Sequence, residues 1–227
     1  MPTTTGVNHT PKMHKSINIE IISDFACPWC LVGKRRLENA IAQRPLLDIC
    51  VKWRPFQLNP DMPRQGRNRR EYYSDKFGVE RAKSLRESLL AVGAEEGIVF
   101  GDEPNAIAPN TLSAHVLMYW AHNGETVDTN SLAEKLFVAH HVACENIGDI
   151  DVLARIAGEV GMDAIHLCSM LEAGDDEEAV KRQIRQSSAN GISGVPFFIL
   201  NGEYGVSGAQ PAETFVSGFD QIQTSDK

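Results

Sequence analysis

Residues 16–30 read SINIEIISDFACPWC and change from a strand pattern to a helix pattern. Four isoleucines between positions 17 and 22 predict a buried strand over about residues 16–23. Pro28 suits the first turn of a helix because that turn needs no backbone N–H group, and apolar spacing extends this helix to about Gln43. Cys27 and Cys30 are therefore expected where the first strand gives way to the first helix.

The rest of the chain predicts two halves of a sheet separated by helices. Alternating apolar and polar side chains over residues 47–56 indicate a second strand, and an apolar run at 195–200 followed by Asn201-Gly202 indicates a hairpin. Neither half-sheet can bury both faces alone, so we expect one mixed sheet in an α/β fold. The predicted boundaries are a disordered tail at 1–15, a sheet-containing domain formed by 16–67 and 176–227, and an inserted helical domain at 68–175.

Composition restricts the class of protein. The 227 residues carry a net charge of −8 at pH 7, which repels phosphates and argues against a nucleic acid partner. The sequence lacks an apolar stretch of about 18 residues and its polar start does not resemble a secretory signal, so we expect a cytoplasmic location and no membrane partner. The basic runs at 34–36 and 64–70 are expected to be a solvated helix face and a solvated loop.

Five cysteines are too few for a disulfide scaffold, and in a reducing compartment a close pair is usually catalytic or metal-binding. Cys27 at a helix start would face unpaired N–H groups and the positive end of the helix dipole, which favour the attacking thiolate. Cys30, one turn further, is expected to act second and resolve the mixed disulfide. The alternatives are a pair without function and a zinc half-site. Zinc needs three or four ligands, and because no second short-spaced Cys or His pair is present, no metal is expected.

Val195-Pro196 leads into a predicted buried strand although proline cannot donate to a sheet ladder. A proline at the strand start and a cis peptide bond both accommodate this, and the residues alone leave the two open. Cys50 is expected to be a small hydrophobic residue among the core positions of the second strand. Cys144 and Cys168 are expected to be unreactive, with a regulatory pair between them as the alternative.

These segments resemble the DsbA type of thioredoxin-fold protein, in which a helical domain is inserted within the fold, and within it the FrnE-like branch. The similarity covers about residues 17–220. It rests on residues 24–30, 33–37, 53–63, 109–111, 114–115, 136–137, 194–198 and 206–211. The resemblance implies a thioredoxin fold with a large inserted α-helical domain and a thiol–disulfide oxidoreductase or isomerase activity.

The resemblance also implies roles for individual residues. Cys27 matches the nucleophile, Cys30 the resolving cysteine, and Pro196 a cis-proline that faces the pair. Main-chain pairing with a bound peptide or glutathione is implied for Val195, which would explain loose sequence selectivity. The other residues implied to bind substrate are Phe25, Asn110, Thr111 and His115. A buried packing role is the alternative for His115.

Pro28 and Trp29 form the dipeptide that tunes the pair. Periplasmic DsbA carries Pro-His, and Trp29 cannot offer an imidazole hydrogen bond to the thiolate, so we predict a less oxidising pair here. The expected substrate is a protein or small molecule that contains a thiol or disulfide. No cofactor is expected apart from glutathione as a co-substrate, and a second copy of the chain is left open as a partner.

Two other functions stay open at this level. One is a glutathione-dependent isomerase or transferase of the kappa-class or 2-hydroxychromene-2-carboxylate isomerase type. Those relatives typically lack the second cysteine, so the intact pair disfavours this function. The other is a non-enzymatic holdase, which would need a large exposed apolar groove.

Overall fold

A computed structural model describes residues 16–124 and 127–225. The predicted tail at 1–15 lies outside these ranges. In chain order the elements are β1 Ile17–Ser23, α1 Pro28–Ala42, β2 Ile49–Pro55, β3 Arg67–Asn68, α2 Arg69–Phe77, α3 Val79–Glu95, β4 Ile107–Ala108, α4 Leu112–Asn123, α5 Thr129–His141, α6 Ile150–Glu159, α7 Ala164–Ala173, α8 Glu177–Ala189, β5 Phe197–Leu200, β6 Tyr204–Ser207 and α9 Ala212–Thr224. Across the described ranges, none of these helices combines the length and apolar character needed to cross a membrane.

The main sheet joins the two ends of the chain. Its strand order is β2-β1-β5-β6, with β1 parallel to β2 and antiparallel to β5. The β5–β6 hairpin that the sequence indicates turns at Asn201 and Gly202, which have positive φ angles of 50° and 73°. Leu200 pairs with Tyr204, so three residues separate the two strands. The expectation of one mixed sheet is confirmed. Among the described residues six helices lie between β2 and α8, so the chain is a thioredoxin fold carrying an inserted helical domain.

Helix α1 contributes to two hydrophobic cores. Towards its C-terminal end, Leu37 packs with the sheet and with Phe215 and Phe219 of α9. At its N-terminal end, Cys30 and Leu31 belong to the core formed by the inserted helices. Full burial of each large apolar side chain contributes about 1.5–3 kcal/mol, so both contacts hold the helix firmly. The start of α1 consequently lies at the junction between the sheet and the inserted helices.

Two details of the strands differ from the sequence-based expectation. The expectation for Cys50 is wrong, because its side chain is exposed while Ile49 and Val51 on either side are half-buried. Strict alternation in β2 turns Cys50 away from the core. The antiparallel ribbon of β3 and β4 was not expected, since a strand of two residues is too short to show alternation.

The basic run at 34–36 is not a solvated face, and that expectation is corrected. Lys34 is only 4% exposed, and its Nζ donates to Glu38 of the same helix at 2.5 Å and to Glu134 of α5 at 2.7 Å. Arg35 also pairs with Glu134. We call Lys34, Arg35 and Glu134 the α1–α5 ion cluster, because they connect the cysteine-bearing helix to the inserted helices.

Candidate active site

The cysteine pair occupies the first turn of α1, as the sequence predicts. Cys27 is the N-cap with φ −90° and ψ 111°, and Pro28 takes the first helical position. Trp29, Cys30 and Leu31 complete an uncharged first turn, so no side-chain charge there offsets the positive end of the helix dipole. The Cys30 N–H donates to the Cys27 carbonyl at 3.1 Å. Cys27 is thus held where the helix favours a negative charge on sulfur.

Burial separates the roles of the two thiols. Cys27 is 4% exposed and Cys30 is 1% exposed. Burial and the adjacent Cys27 thiol raise the pKa of the Cys30 thiol well above its ordinary value, while the Ser23 hydroxyl and the Asp24 backbone oppose this effect in part. Burial therefore favours the protonated form of the Cys30 thiol.

Val195 and Pro196 face the pair from the other half of the sheet. The peptide bond between them is cis, and the Cys27 thiol donates to the Val195 carbonyl at an Sγ–O distance of 3.6 Å. Gly33 of α1 makes room for this segment, because a Cβ atom there would lie 3.0 Å from Pro196 Cγ and 3.0 Å from Phe198 Cζ. The fold therefore brings together two segments that are 168 positions apart in sequence.

A buried carboxylate fixes the loop in front of α1. Asp24 is 1% exposed, and it accepts the Leu58 N–H at 2.7 Å and the Ala26 N–H at 3.2 Å. Burial by itself raises the pKa of Asp24, but the His115 ring, the Leu58 N–H and the Thr111 side chain outweigh it and lower the pKa. Asp24 was not among the predicted site residues, and its place in the DsbA-like segment 24–30 was the available signal.

Three residues expected to bind substrate are instead internal. Phe25, Thr111 and His115 are 2%, 3% and 4% exposed, and the Phe25 and His115 ring centroids are 5.1 Å apart. His115 Nε2 lies 3.6 Å from Asp24 Oδ1 and, like Ser23 Oγ, has no hydrogen-bond partner among the described residues. Both residues border a cavity of about 30 Å³. All three side chains are therefore buried, as the packing alternative expects for His115, and their assignment to substrate binding stays a prediction.

Asn110 also acts within the fold. Its Nδ2 donates to the Met62 carbonyl at 2.6 Å, and its Oδ1 accepts the Leu112 N–H at 3.0 Å at the start of α4. The Asn110 side chain thus connects the start of α4 to the loop after β2. Its assignment to substrate binding stays a prediction.

The open cleft beside the cysteines is built mainly from α2 and α3, and we call it the α2–α3 cleft. Pro28 and Trp29 border it on the side of α1, and Arg69 and Tyr73 border it on the side of α2. Burial, followed by the charge of the nearby Cys27 sulfur, raises the pKa of Tyr73 to about 12. Arg69 is half-buried, so the expectation of a solvated loop at 64–70 is wrong for this residue.

A family comparison decides the identity of the fold. The model of the DSBA-like thioredoxin domain matches residues 18–220. The chain belongs to this family. It is 27% identical over 209 residues to the uncharacterized protein YwbO of Bacillus subtilis (strain 168), covering 92% of this chain and 98% of that protein.

Solved structures agree with the DsbA-like assignment. The probable DsbA oxidoreductase SCO1869 of Streptomyces coelicolor superposes with a TM-score of 0.81 at 29% identity, covering 93% of this chain and 91% of that chain. The cytosolic disulfide reductase DsbM of Pseudomonas aeruginosa superposes with a TM-score of 0.60 at 18% identity, covering 90% of this chain and 99% of that chain. The second likeness shows a shared fold.

The remaining thiols lie outside the DsbA-like pair. All five cysteines are free thiols. Cys144 is half-buried, and its Sγ accepts from Arg69 Nη2 at 3.4 Å, while Cys168 lies in α7. Within residues 16–124 and 127–225, no three His, Cys, Asp or Glu side chains are grouped in a way that could hold a metal ion.

Proposed function

We propose that this DsbA-like protein is a dithiol–disulfide oxidoreductase in which Cys27 is the nucleophile and Cys30 is the resolving cysteine. The observation that carries the proposal is the position of Cys27 Sγ, at the N-cap of α1 and 3.6 Å from the Val195 carbonyl. Cys30 is buried one turn behind it. A sulfur held by a helix start, with a protonated partner next to it, is suited to attack and then release a disulfide.

The exchange balances without a bound cofactor. The Cys27 thiolate attacks one sulfur of the substrate, a Cys27–substrate bond forms, and the second substrate sulfur leaves as a thiolate that takes a proton from water. Cys30 then loses its proton to water and attacks Cys27 Sγ, which forms the Cys27–Cys30 disulfide and releases the first sulfur. Two electrons pass from the protein to the substrate, and the reverse steps oxidise a substrate dithiol.

The surroundings of the pair support further parts of the proposal. Pro196 and the Val195 main chain offer an edge to which an extended peptide or glutathione can pair, and Pro28 and Trp29 set the redox balance. DsbM is described as cytosolic, and a structure of DsbM contains GSH, which supports a cytoplasmic location and glutathione as a co-substrate here. We also place the chain in the FrnE-like branch, on the segments quoted from its sequence.

Reduction of insulin by dithiothreitol tests the proposal with three matched variants. Cys27→Ser should abolish the acceleration, since the attacking sulfur is lost. Cys30→Ser should stop turnover but accumulate mixed disulfides through Cys27, which mass spectrometry of a treated cell extract would detect. Cys50→Ser removes an exposed thiol of the same protein and should leave the rate unchanged.

Other outcomes would point to the other functions. Glutathione-dependent activity that survives Cys30→Ser would indicate an isomerase or transferase with a single essential cysteine. Suppression of aggregation by Cys27→Ala, with no reduction of insulin by the wild type, would indicate a holdase. Wild-type protein that does not accelerate insulin reduction would overturn the oxidoreductase proposal.

A further inference from the structure

The α2–α3 cleft has the size of a site for a small molecule. Its volume is about 620 Å³, and ligand sites in proteins are usually about 300–1,000 Å³. Pro28 and Trp29 form its edge next to Cys27, so a ligand in the cleft would lie beside the attacking sulfur. The cleft therefore adjoins the proposed reaction centre without including it.

The charge of the cleft is opposite to that of the chain. Among the described residues that line it, five are basic and two are acidic, in a protein whose net charge is −8. The basic residues are Arg69, Arg70, Arg81, Lys83 and Arg86, and the acidic residues are Asp102 and Glu103. Asp102 is shared by Arg70 at 3.3 Å and Arg86 at 3.1 Å, so the cations remain in excess. An anion gains from this local field.

Apolar side chains form the rest of the lining. Trp29 and Tyr73 lie near the cysteines, and the rim residues Phe77, Val79 and Leu85 are 36%, 67% and 41% exposed. A fully polar anion would leave these surfaces in water. Aromatic or aliphatic groups on a ligand would bury them, which stabilises binding in proportion to the area covered.

One of the histidines that line the cleft carries an unpaired polar atom. His141 is 5% exposed, and its Nε2 has no hydrogen-bond partner among the described residues. Burial lowers the pKa of His141 well below its ordinary value and that of His140 to about 4, so both rings are neutral near pH 7. A buried, unpaired nitrogen is costly unless a ligand or water satisfies it.

We propose that the α2–α3 cleft binds small organic disulfides that combine an anionic group with an aromatic or apolar body. The basic side chains of α2 and α3 would receive the anionic group, and Trp29 and the rim residues would cover the apolar body. The substrate disulfide then lies next to Cys27. This inference rests on the proposed dithiol exchange and narrows its substrate class. One turnover forms the Cys27–Cys30 disulfide and two substrate thiols, so the protein dithiol supplies both electrons.

A single-turnover experiment on the full chain tests the preference for anions. The protein is reduced, desalted and mixed with the disulfide of para-mercaptobenzoate or with its neutral carboxamide analogue. Each rate is divided by the rate of the same disulfide with free dithiothreitol, which removes the intrinsic reactivity of the probe. The wild type should prefer the carboxylate by at least about fivefold, since each partly exposed charge contact contributes about two- to fivefold.

Variants that remove positive charges from the cleft, a negative charge from the cleft, or positive charges from another surface provide the comparison. Arg70→Gln combined with Arg81→Gln removes two exposed cations of the cleft and should bring the preference down to about twofold or less. Asp102→Asn removes a competing carboxylate and should increase the preference. Arg182→Gln combined with Arg185→Gln changes the net charge equally on exposed positions of α8 outside the cleft, and should have no effect.

Calorimetric titration with the unreactive thioether of the same acid separates this inference from the proposed function. Thioether binding that weakens in the Arg70/Arg81 variant, without any disulfide exchange, would support the cleft and overturn the proposed function. Exchange of both probes at equal normalised rates, with no thioether binding, would refute the proposed binding of anionic disulfides in the cleft. It would leave the proposed oxidoreductase function intact. If the Arg182/Arg185 variant lost the preference for the carboxylate as fully as the Arg70/Arg81 variant, the binding proposal would also be refuted. The preference would then reflect the net charge of the protein and not the cleft.

Discussion

Replacing Glu134 with glutamine tests whether charge pairing holds the cysteine-bearing helix against the inserted helices. Glu134 of α5 pairs with Lys34 Nζ at 2.7 Å and with Arg35, both on α1. Glutamine keeps the size of the side chain but removes the negative charge. Lys34 then stays buried with Glu38 as its remaining carboxylate partner among the described residues.

The expected loss of stability can be calculated from the pKa shift of the Glu134 carboxyl group. Burial raises the pKa of Glu134, but Arg35 and Lys34 outweigh it and lower the pKa from 4.5 to about 2. At about 1.36 kcal/mol per pKa unit, the pairing stabilises the fold by at most about 3.4 kcal/mol. The side chain is 30% exposed, so screening by solvent reduces this to about 1–2 kcal/mol. Glu134→Gln should lower the free energy of unfolding by that amount at neutral pH.

The effect should also depend on pH in a defined direction. A carboxyl group whose pKa falls on folding stabilises the protein fully above its unfolded pKa, and the stabilisation is lost as the pH falls through the folded pKa. For Glu134 that window runs from about 4.5 down to about 2. The difference between wild type and Glu134→Gln should therefore be full at pH 7 and clearly smaller at pH 3.

Urea unfolding followed by tryptophan fluorescence at the two pH values measures both quantities. Glu159→Gln is the matched control, because Glu159 is 40% exposed and pairs with Lys135 at 2.7 Å on the surface. It should change the unfolding free energy far less. Equal effects of the two substitutions, or a Glu134 effect that is the same at pH 7 and pH 3, would refute the reasoning.

Four further predictions concern the site itself. Iodoacetamide should modify Cys27 and the exposed Cys50 of the native dithiol protein and leave Cys30 unmodified near neutral pH, because burial raises the pKa of Cys30; early modification of Cys30, detected by peptide mapping, would contradict this. Gly33→Ala should destabilise the protein by about 1–3 kcal/mol and slow insulin reduction, since its Cβ would press on Pro196 at 3.0 Å; an unchanged unfolding midpoint argues against it. Asp24→Asn should cost about 1–3 kcal/mol at pH 7, because it sets an amide N–H against the Leu58 or Ala26 N–H, and the difference should begin to shrink only below pH 3.8 because the pKa of Asp24 is lowered; a difference that already shrinks well above pH 3.8 contradicts the account. Trp29→His should make the pair more oxidising, since an imidazole stabilises the thiolate of the reduced form, and equilibration with glutathione would show no shift if the idea is wrong.

Local patterns in the sequence are sufficient to predict the central part of the fold. The isoleucine run and Pro28 predict the turn from β1 into α1, because each acts through neighbouring backbone. The joining of the two half-sheets is predicted because each must bury both of its faces. This prediction does not depend on knowing any specific long-range contact. The same sequence could not reveal that Lys34 is buried, since its partner Glu134 lies 100 positions away.

In the candidate site, too, some features follow from local sequence and others depend on residues that are distant in sequence. Cys27 and Cys30 are identified by spacing alone, and the resemblance supplied Pro196. The resemblance could not show that Phe25 and His115 pack against each other inside the protein. The α2–α3 cleft depends on how two helices fold back beside α1, and local sequence patterns do not show this arrangement.

The distance in sequence between Cys27 and Val195 has a consequence for synthesis. Ribosomes add about 5–20 residues per second, so the thiols emerge roughly 8–34 s before the carbonyl that will face them, 168 positions later. Throughout that interval β1 lacks its neighbour β5, and the nascent chain carries a reactive dithiol without its finished enclosure. Both thiols are therefore made well before the segment that completes their enclosure, so the nascent chain passes through a stage in which they are less protected than in the folded protein.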